Sequence, residues 1–265
     1  MKNQAGQKTY LMELIVLGSG TAIPLNSRAS PSLALRIGGE LILFDMGPGT
    51  IRQLIKAGLN PAHIRRIFLT HFHPDHSADL IHFLFATRNP STLLKREPFS
   101  ITGARGLGEF INGLQNAYDP WLTLPSEIMR IEELELGSPI QRDYKSYQIT
   151  ARPTLHTPNS IAYRLKNRAG RSIVYSGDTG FTEEIVDLAK GADLLILECS
   201  FPDGQETEDH LTPSQAGSIA EMAGVDKLLL THFYPECLRT DASAQCRKAY
   251  SGELILASDF LHVLI

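Results

Sequence analysis

The segment Thr70-His71-Phe72-His73-Pro74-Asp75-His76 constrains this chain more than any other. It follows an apolar run, Ile64 to Thr70, that reads as a β-strand, and it sets four metal-ligating side chains close together. Side chains two apart on an extended chain point the same way, so His71 and His73 can grip one cation. The turn at Pro74 presents Asp75 and His76 beside them, a layout for two ions. Four more polar residues stand where an apolar run gives way to a loop. They are His156 in Thr154-Leu155-His156-Thr157, Asp178 in Ser176-Gly177-Asp178-Thr179, His210 in Asp209-His210-Leu211-Thr212 and His232 in Leu230-Thr231-His232-Phe233. Strand ends are where α/β scaffolds place their sites.

The rest of the chain alternates short apolar runs with turn signals. Leu14 to Leu17 ends in Gly18-Ser19-Gly20, and Leu33 to Ile37 with Leu41 to Phe44 reads as a hairpin about Gly38-Gly39. Further strands are expected at Glu132 to Leu136, Tyr147 to Pro153, Ser160 to Leu165, Ser172 to Tyr175, Asp193 to Glu198 and Lys227 to Thr231. Helical spacing marks Thr50 to Ala57, closed by Gly58, then Ala78 to Thr87, Gly106 to Tyr118, Glu183 to Ala189 and Pro213 to Ala223. Strands crowd both halves with helices interspersed. The expectation is an α/β fold of two sheets with helices outside, one domain over residues 12–265 behind a loose leader, residues 1–11.

Composition removes several function classes. Lys and Arg number 25 against 29 Asp and Glu, a net charge of -4, so no basic nucleic-acid footprint covers the surface. Apolar stretches such as Leu80 to Ala86 fall well short of the roughly 18 residues of a membrane helix. Residues Met1 to Tyr10 are polar, unlike a secretory signal, and a cytoplasmic location is the expectation. The three cysteines, Cys199, Cys237 and Cys246, form no C-x-x-C; Cys199 reads as a buried thiol, and Cys237 is near enough to His232 to line the pocket. Gly18-Ser19-Gly20 lacks the third glycine of a dinucleotide site.

Taken in order, G-S-G-T-A-I-P, L-F-D-M-G, T-H-F-H-P-D-H, His156, S-G-D-T, H-L-T-P-S-Q-A and L-T-H make the chain resemble the metallo-β-lactamase fold superfamily, and within it the ribonuclease Z-like phosphodiesterase branch. The resemblance runs over nearly the whole chain from Met12. It implies a four-layer αββα sandwich, two mixed β-sheets flanked by helices, and a dinuclear zinc centre. In it His71, His73 and His156 hold one Zn2+, Asp75, His76 and His232 hold the other, and Asp178 bridges them. It implies hydrolysis of phosphodiester bonds by a hydroxide between the metals, with Asp75 orienting that nucleophile. His210 would hydrogen-bond the scissile phosphate or help the leaving oxygen depart; read alone, His210 equally caps the helix after it. Glu208 or Asp209 would orient His210. Asp45 would stand behind the histidines and fix a tautomer, although by itself it equally closes a turn before Gly47.

Imidazoles and carboxylates without thiolate suit zinc, and Mn2+ or Fe2+ fit the same donors. The implied substrate is a small or cyclic phosphodiester or an RNA 3′ end, and a homodimer is the family expectation. The chain departs from the branch's tRNA-clamping members. Only 21 residues separate His156 from Asp178, no room for their tRNA-binding arm, and Phe233-Tyr234-Pro235-Glu236 replaces their serine and arginine after the last histidine. Two other readings use the same residues: a carboxyl-ester, lactone or sulfate-ester hydrolase, and a non-hydrolytic accessory protein.

Overall fold

A computed structural model describes residues 11–135 and 140–265. Its strands, in chain order, are β1 (Met12–Gly18), β2 (Ser32–Ile37), β3 (Glu40–Phe44), β4 (Ile64–Phe68), β5 (Phe99–Ala104), β6 (Met129–Leu134), β7 (Ile140–Asp143), β8 (Tyr147–Pro153), β9 (Ile161–Asn167), β10 (Ser172–Tyr175), β11 (Leu194–Glu198), β12 (Lys227–Thr231), β13 (Glu253–Leu256) and β14 (His262–Leu264). The helices are α1 (Thr50–Lys56), α2 (Pro74–Ser77), α3 (Asp79–Thr87), α4 (Pro90–Leu93), α5 (Leu107–Ala117), α6 (Glu183–Ala189), α7 (Pro213–Ala223), α8 (Pro235–Leu238) and α9 (Ala242–Cys246).

The strands form two sheets of seven, ordered β14-β1-β2-β3-β4-β5-β6 and β13-β12-β11-β10-β9-β8-β7. In the first, β3 to β6 run parallel and the remaining pairs are antiparallel. In the second, β10 to β13 are parallel and β7 to β10 antiparallel. Both are mixed sheets, as expected.

Alternation along the central strands explains the layering. Met12, Leu14 and Val16 of β1 face the core between the sheets, where they meet Leu194 and Ile196 of β11. Ile15 and Leu17 face the opposite way and pack under α1 and α3 with Ile51, Leu54, Leu80 and Leu84. Leu195 and Leu197 likewise face Ile185, Ile219 and Ala220 of α6 and α7. Strands buried on both faces need helices on the outside and a second sheet on the inside, which is the four-layer sandwich.

Four strands were not foreseen; one, β5, is buried throughout, but Ser100, Thr102 and Gly103 break its apolar run. β7, β13 and β14 are short and mostly exposed or half-buried, so they carry no clean apolar pattern. β14 returns from the end of the chain to pair with β1, Leu14 opposite Val263. The strand expected at Glu132 to Leu136 begins earlier, at Met129, and Leu136 lies outside the described residues, as does the leader up to Tyr10.

Close approaches tie the layers to the polar loops. The Asp259 carboxylate accepts hydrogen bonds from the Ser19 and Ala29 backbone N–H groups and from Gln53, fixing the Gly18-Ser19-Gly20 loop. Gly47 is a glycine because a Cβ there would lie 2.0 Å from the Asp75 carbonyl oxygen. Gly113, inside α5, has open space around it. Gly47→Ala is therefore expected to cost about 1–3 kcal/mol, and Gly113→Ala to gain about 0.5–1 kcal/mol, in urea denaturation. Equal effects at the two positions would contradict this packing.

Candidate metal centre

The site lies where β3, β4, β8, β10, β11 and β12 end, so both sheets contribute to it. After β4 the chain stays extended through His71 and His73, and Pro74 opens the one-turn helix α2, which carries Asp75 and His76. Asp178 follows β10 in Ser176-Gly177-Asp178, where Gly177 adopts φ 60° and its Cα packs on Thr70, leaving no space for a Cβ. His232 follows β12 in the left-handed conformation, φ 59°, unusual for a residue with a side chain.

These residues converge. Ligand atoms of His71, His73, His156 and Asp178 all lie within 4.8 Å of one another, and those of Asp75, His76 and His232 form a second such group. Asp178 faces both: Oδ1 is 3.1 Å from His76 Nε2 and 3.3 Å from His232 Nε2, while Oδ2 is 3.8 Å from the Nε2 atoms of both His71 and His156.

The imidazoles are held from behind. Nδ1 of His71 meets Thr70 Oγ1 at 3.0 Å, that of His76 meets Asp45 Oδ2 at 2.8 Å, that of His156 meets the Asp209 carbonyl at 3.1 Å, and that of His232 meets Ser200 Oγ at 3.0 Å. With Nδ1 engaged, each ring turns Nε2 toward the centre, the arrangement of metal-ligating histidines. Burial, with His76 beside it, pushes His71 far below the ordinary histidine range and keeps it neutral. Burial alone would raise Asp178, but His232 and His76 more than offset it and the carboxylate is held well below its usual range.

Does this set fit a cation? His71 Nε2 and Asp178 Oδ1 are buried without any hydrogen-bond partner, and buried polar atoms are rarely left so. His73 Nδ1 and His156 Nε2 approach to 3.1 Å, as do two donors sharing an acceptor of electron pairs. The donors are imidazole and carboxylate only. The set fits a divalent metal.

Comparison with known proteins then places the chain. A family model described as beta-lactamase superfamily domain matches residues 40–233. The chain belongs to this superfamily. Ribonuclease Z of Streptomyces avermitilis is 31% identical over 95% of this chain and 97% of the relative, and that of Methanothermobacter thermautotrophicus is 28% identical over 96% of each. Human tRNase Z, short form, superposes with TM-score 0.77 at 27% identity, covering 95% of this chain and 98% of that one. The metallo-beta-lactamase fold protein YhfI from Bacillus subtilis reaches 0.82 at 24% identity over 97% and 100% of the two chains, a likeness of fold. This superfamily member is a metal-dependent hydrolase of the ribonuclease Z-like kind, with a divalent metal cofactor.

In this hydrolase, the residue behind His210 is Glu198, a correction to the expected Glu208 or Asp209. Glu198 Oε1 accepts from His210 Nδ1 at 2.7 Å and from Thr179 N–H, while Oε2 accepts from the Ser200 and Leu211 N–H groups. Burial lowers the His210 pKa, but the Glu198 bond and charge prevail and raise it to about 9. Glu208 is exposed, with its backbone carbonyl packed against Gly180. Asp209 gives His156 its carbonyl. The clue to Glu198 was a lone acid ending the apolar run Leu194 to Leu197. His210 does not cap α7; Thr212 does, in a capping box with Gln215.

Asp45 is fully buried behind the histidines, at φ 60°. It accepts from Thr70 N–H, Thr70 Oγ1, Tyr175 OH and His76 Nδ1. Cys237 does not line the centre; it is buried with Sγ 3.8 Å from that of Cys199. Asp45→Asn turns one acceptor into a donor facing donors. It is expected to cost about 2–4 kcal/mol in denaturation and to weaken divalent-metal binding about 10- to 100-fold in chelator competition. Unchanged metal affinity would argue that Asp45 only shapes the turn.

Proposed function

We propose that the protein is a dinuclear zinc phosphodiesterase. The observation that carries this reading is the position of Asp178, one oxygen toward His76 and His232 and the other toward His71 and His156. His71, His73 and His156 would hold one zinc, Asp75, His76 and His232 the other, and Asp178 both. Such a pair of ions, when bound, supplies Lewis-acid polarisation of a phosphoryl oxygen and a water acidic enough to act near neutral pH.

The remaining steps belong to the protein. Asp75, only slightly exposed and 3.6 Å from His232, is the carboxylate that can orient the attacking water. His210 has its Nδ1 committed to Glu198, so Nε2 is the atom free to hydrogen-bond the phosphoryl group or the departing oxygen. Glu198 fixes that ring through backbone N–H groups from three separate positions, which keeps it preorganised.

The architecture also bears on substrate size. Between His156 and Asp178 the chain forms only the loop to β9, the β9–β10 hairpin and the turn after it, Lys166 pairing with Ser172. The alignment with the Methanothermobacter ribonuclease Z runs over 304 positions, more than the 265 residues here, so that relative carries insertions this chain lacks. No described helix is long and apolar enough to cross a membrane. A small or cyclic diester, or the end of an RNA, suits a site without a long clamp.

The test is hydrolysis of an activated phosphodiester, with a 3′-extended precursor tRNA and a lactone panel alongside. Activity is expected to vanish on chelation, to return with zinc and to fall at least about 100-fold in Asp75→Ala. Lactone turnover without diester cleavage would replace this reading by a carboxyl-ester hydrolase. Chelation is also expected to lower Tm, because the ions bind the folded site far better than the unfolded chain.

A further inference from the structure

The rings of Phe201 and Tyr234 lie beside the metal centre, outside its cluster of histidines and carboxylates and outside the buried core. They stack on one another, centroids 4.9 Å apart and 19° from parallel, and both are half-buried. The pair stands edge-on to the imidazoles: Phe201 is 5.7 Å from His210 at 76°, and Tyr234 is 6.2 Å from His210 at 68° and 5.8 Å from His232 at 70°. The pair is anchored to the catalytic side of the site. Tyr234 N–H donates to the Ser200 carbonyl, Phe201 N–H to that of Leu211, and Ser200 Oγ meets both His210 and His232.

Charge at the same rim narrows what can lie there. Glu206, Glu208 and Asp209 are exposed on the loop leading into His210, and a run of phosphates would meet like charge. A planar, uncharged group carried by a single phosphate would instead meet aromatic faces. Two rings fixed perpendicular to the imidazole that contacts the phosphate are an ordered surface for such a group.

We infer that Phe201 and Tyr234 form a stacking wall for the nucleobase of a nucleoside phosphodiester whose scissile phosphate lies against His210. The inference rests on the phosphodiesterase reading above and goes further by naming the group beside the phosphate. Base–aromatic stacking predicts a preference of about 5- to 150-fold for a substrate that carries the base.

Two esters with one leaving group isolate the base: thymidine 5′-(4-nitrophenyl phosphate) and the same ester of abasic 1,2-dideoxyribose. In the zinc-loaded protein kcat/KM is expected to favour the thymidine ester within that range. The preference should fall below about 3-fold in Tyr234→Leu and in Phe201→Leu, and return in Tyr234→Phe. Calorimetric affinities for thymidine 5′-monophosphate against the abasic sugar phosphate should show the same ratio, a readout independent of turnover. Because the wild-type ratio needs no variant, poor folding of a leucine variant leaves the test intact. Equal kcat/KM for the two esters, or a preference that survives in both leucine variants, overturns the wall while phosphodiester hydrolysis stands. Turnover of carboxyl esters with neither phosphodiester cleaved overturns both.

Discussion

Asp45 sits at 0% exposure and gathers four donors, from the backbone and hydroxyl of Thr70, from Tyr175 and from His76. A carboxylate so placed is strongly destabilising unless every partner is present, which makes the cluster all-or-none. The partners come from different places: Asp45 ends β3, Thr70 and His76 follow β4, and Tyr175 ends β10 in the other sheet. The left-handed backbone at Asp45, φ 60°, aims its side chain back under the metal loop. One group therefore ties the His71–His76 loop to both sheets.

The same seam recurs along the sandwich. Tyr163 of β9 donates its hydroxyl to the Leu69 carbonyl, and Ile161 N–H donates to that of Thr70, so the second sheet hydrogen-bonds the strand end that carries His71. His71, His73, Asp75 and His76 from the first sheet face His156, Asp178 and His232 from the second. A centre built across such a seam links metal affinity to the docking of the sheets. Substitutions at Tyr163 or Tyr175 act on the same equilibrium as substitutions at the clustered histidines.

Much of this was legible in the chain because it is local. The T-H-F-H-P-D-H segment carries its own geometry, strand then Pro74 turn, and the apolar runs of β1, β3, β11 and β12 are buried on both faces and read as unbroken. What was not legible depends on distant partners. Glu208 and Asp209 looked like the orienting acids because they adjoin His210 in sequence, but both are exposed, while β11 ends with Glu198 2.7 Å from the ring. Asp259 gives no local signal at all; its role is set by Ser19, Ala29 and Gln53, which lie more than 200 residues away. β14 is three residues long and stands as a strand only because β1 offers it an edge.

Charge completes the physical case for the centre. Asp45, Asp75, Asp178 and Glu198 bring four carboxylates into one small volume, and among the described residues their ion-pair partners are histidines, with no lysine or arginine. Their effect is uneven: His76, between Asp45 and Asp178, is held well above the ordinary histidine range despite complete burial, whereas burial keeps His71 far below it. A divalent cation offsets part of this negative charge. The protein thus assembles, from both sheets, a cluster of acids whose charge is offset by its divalent metal cofactor rather than by its own lysines or arginines, and the cost of holding those acids together in the fold becomes affinity for the metal.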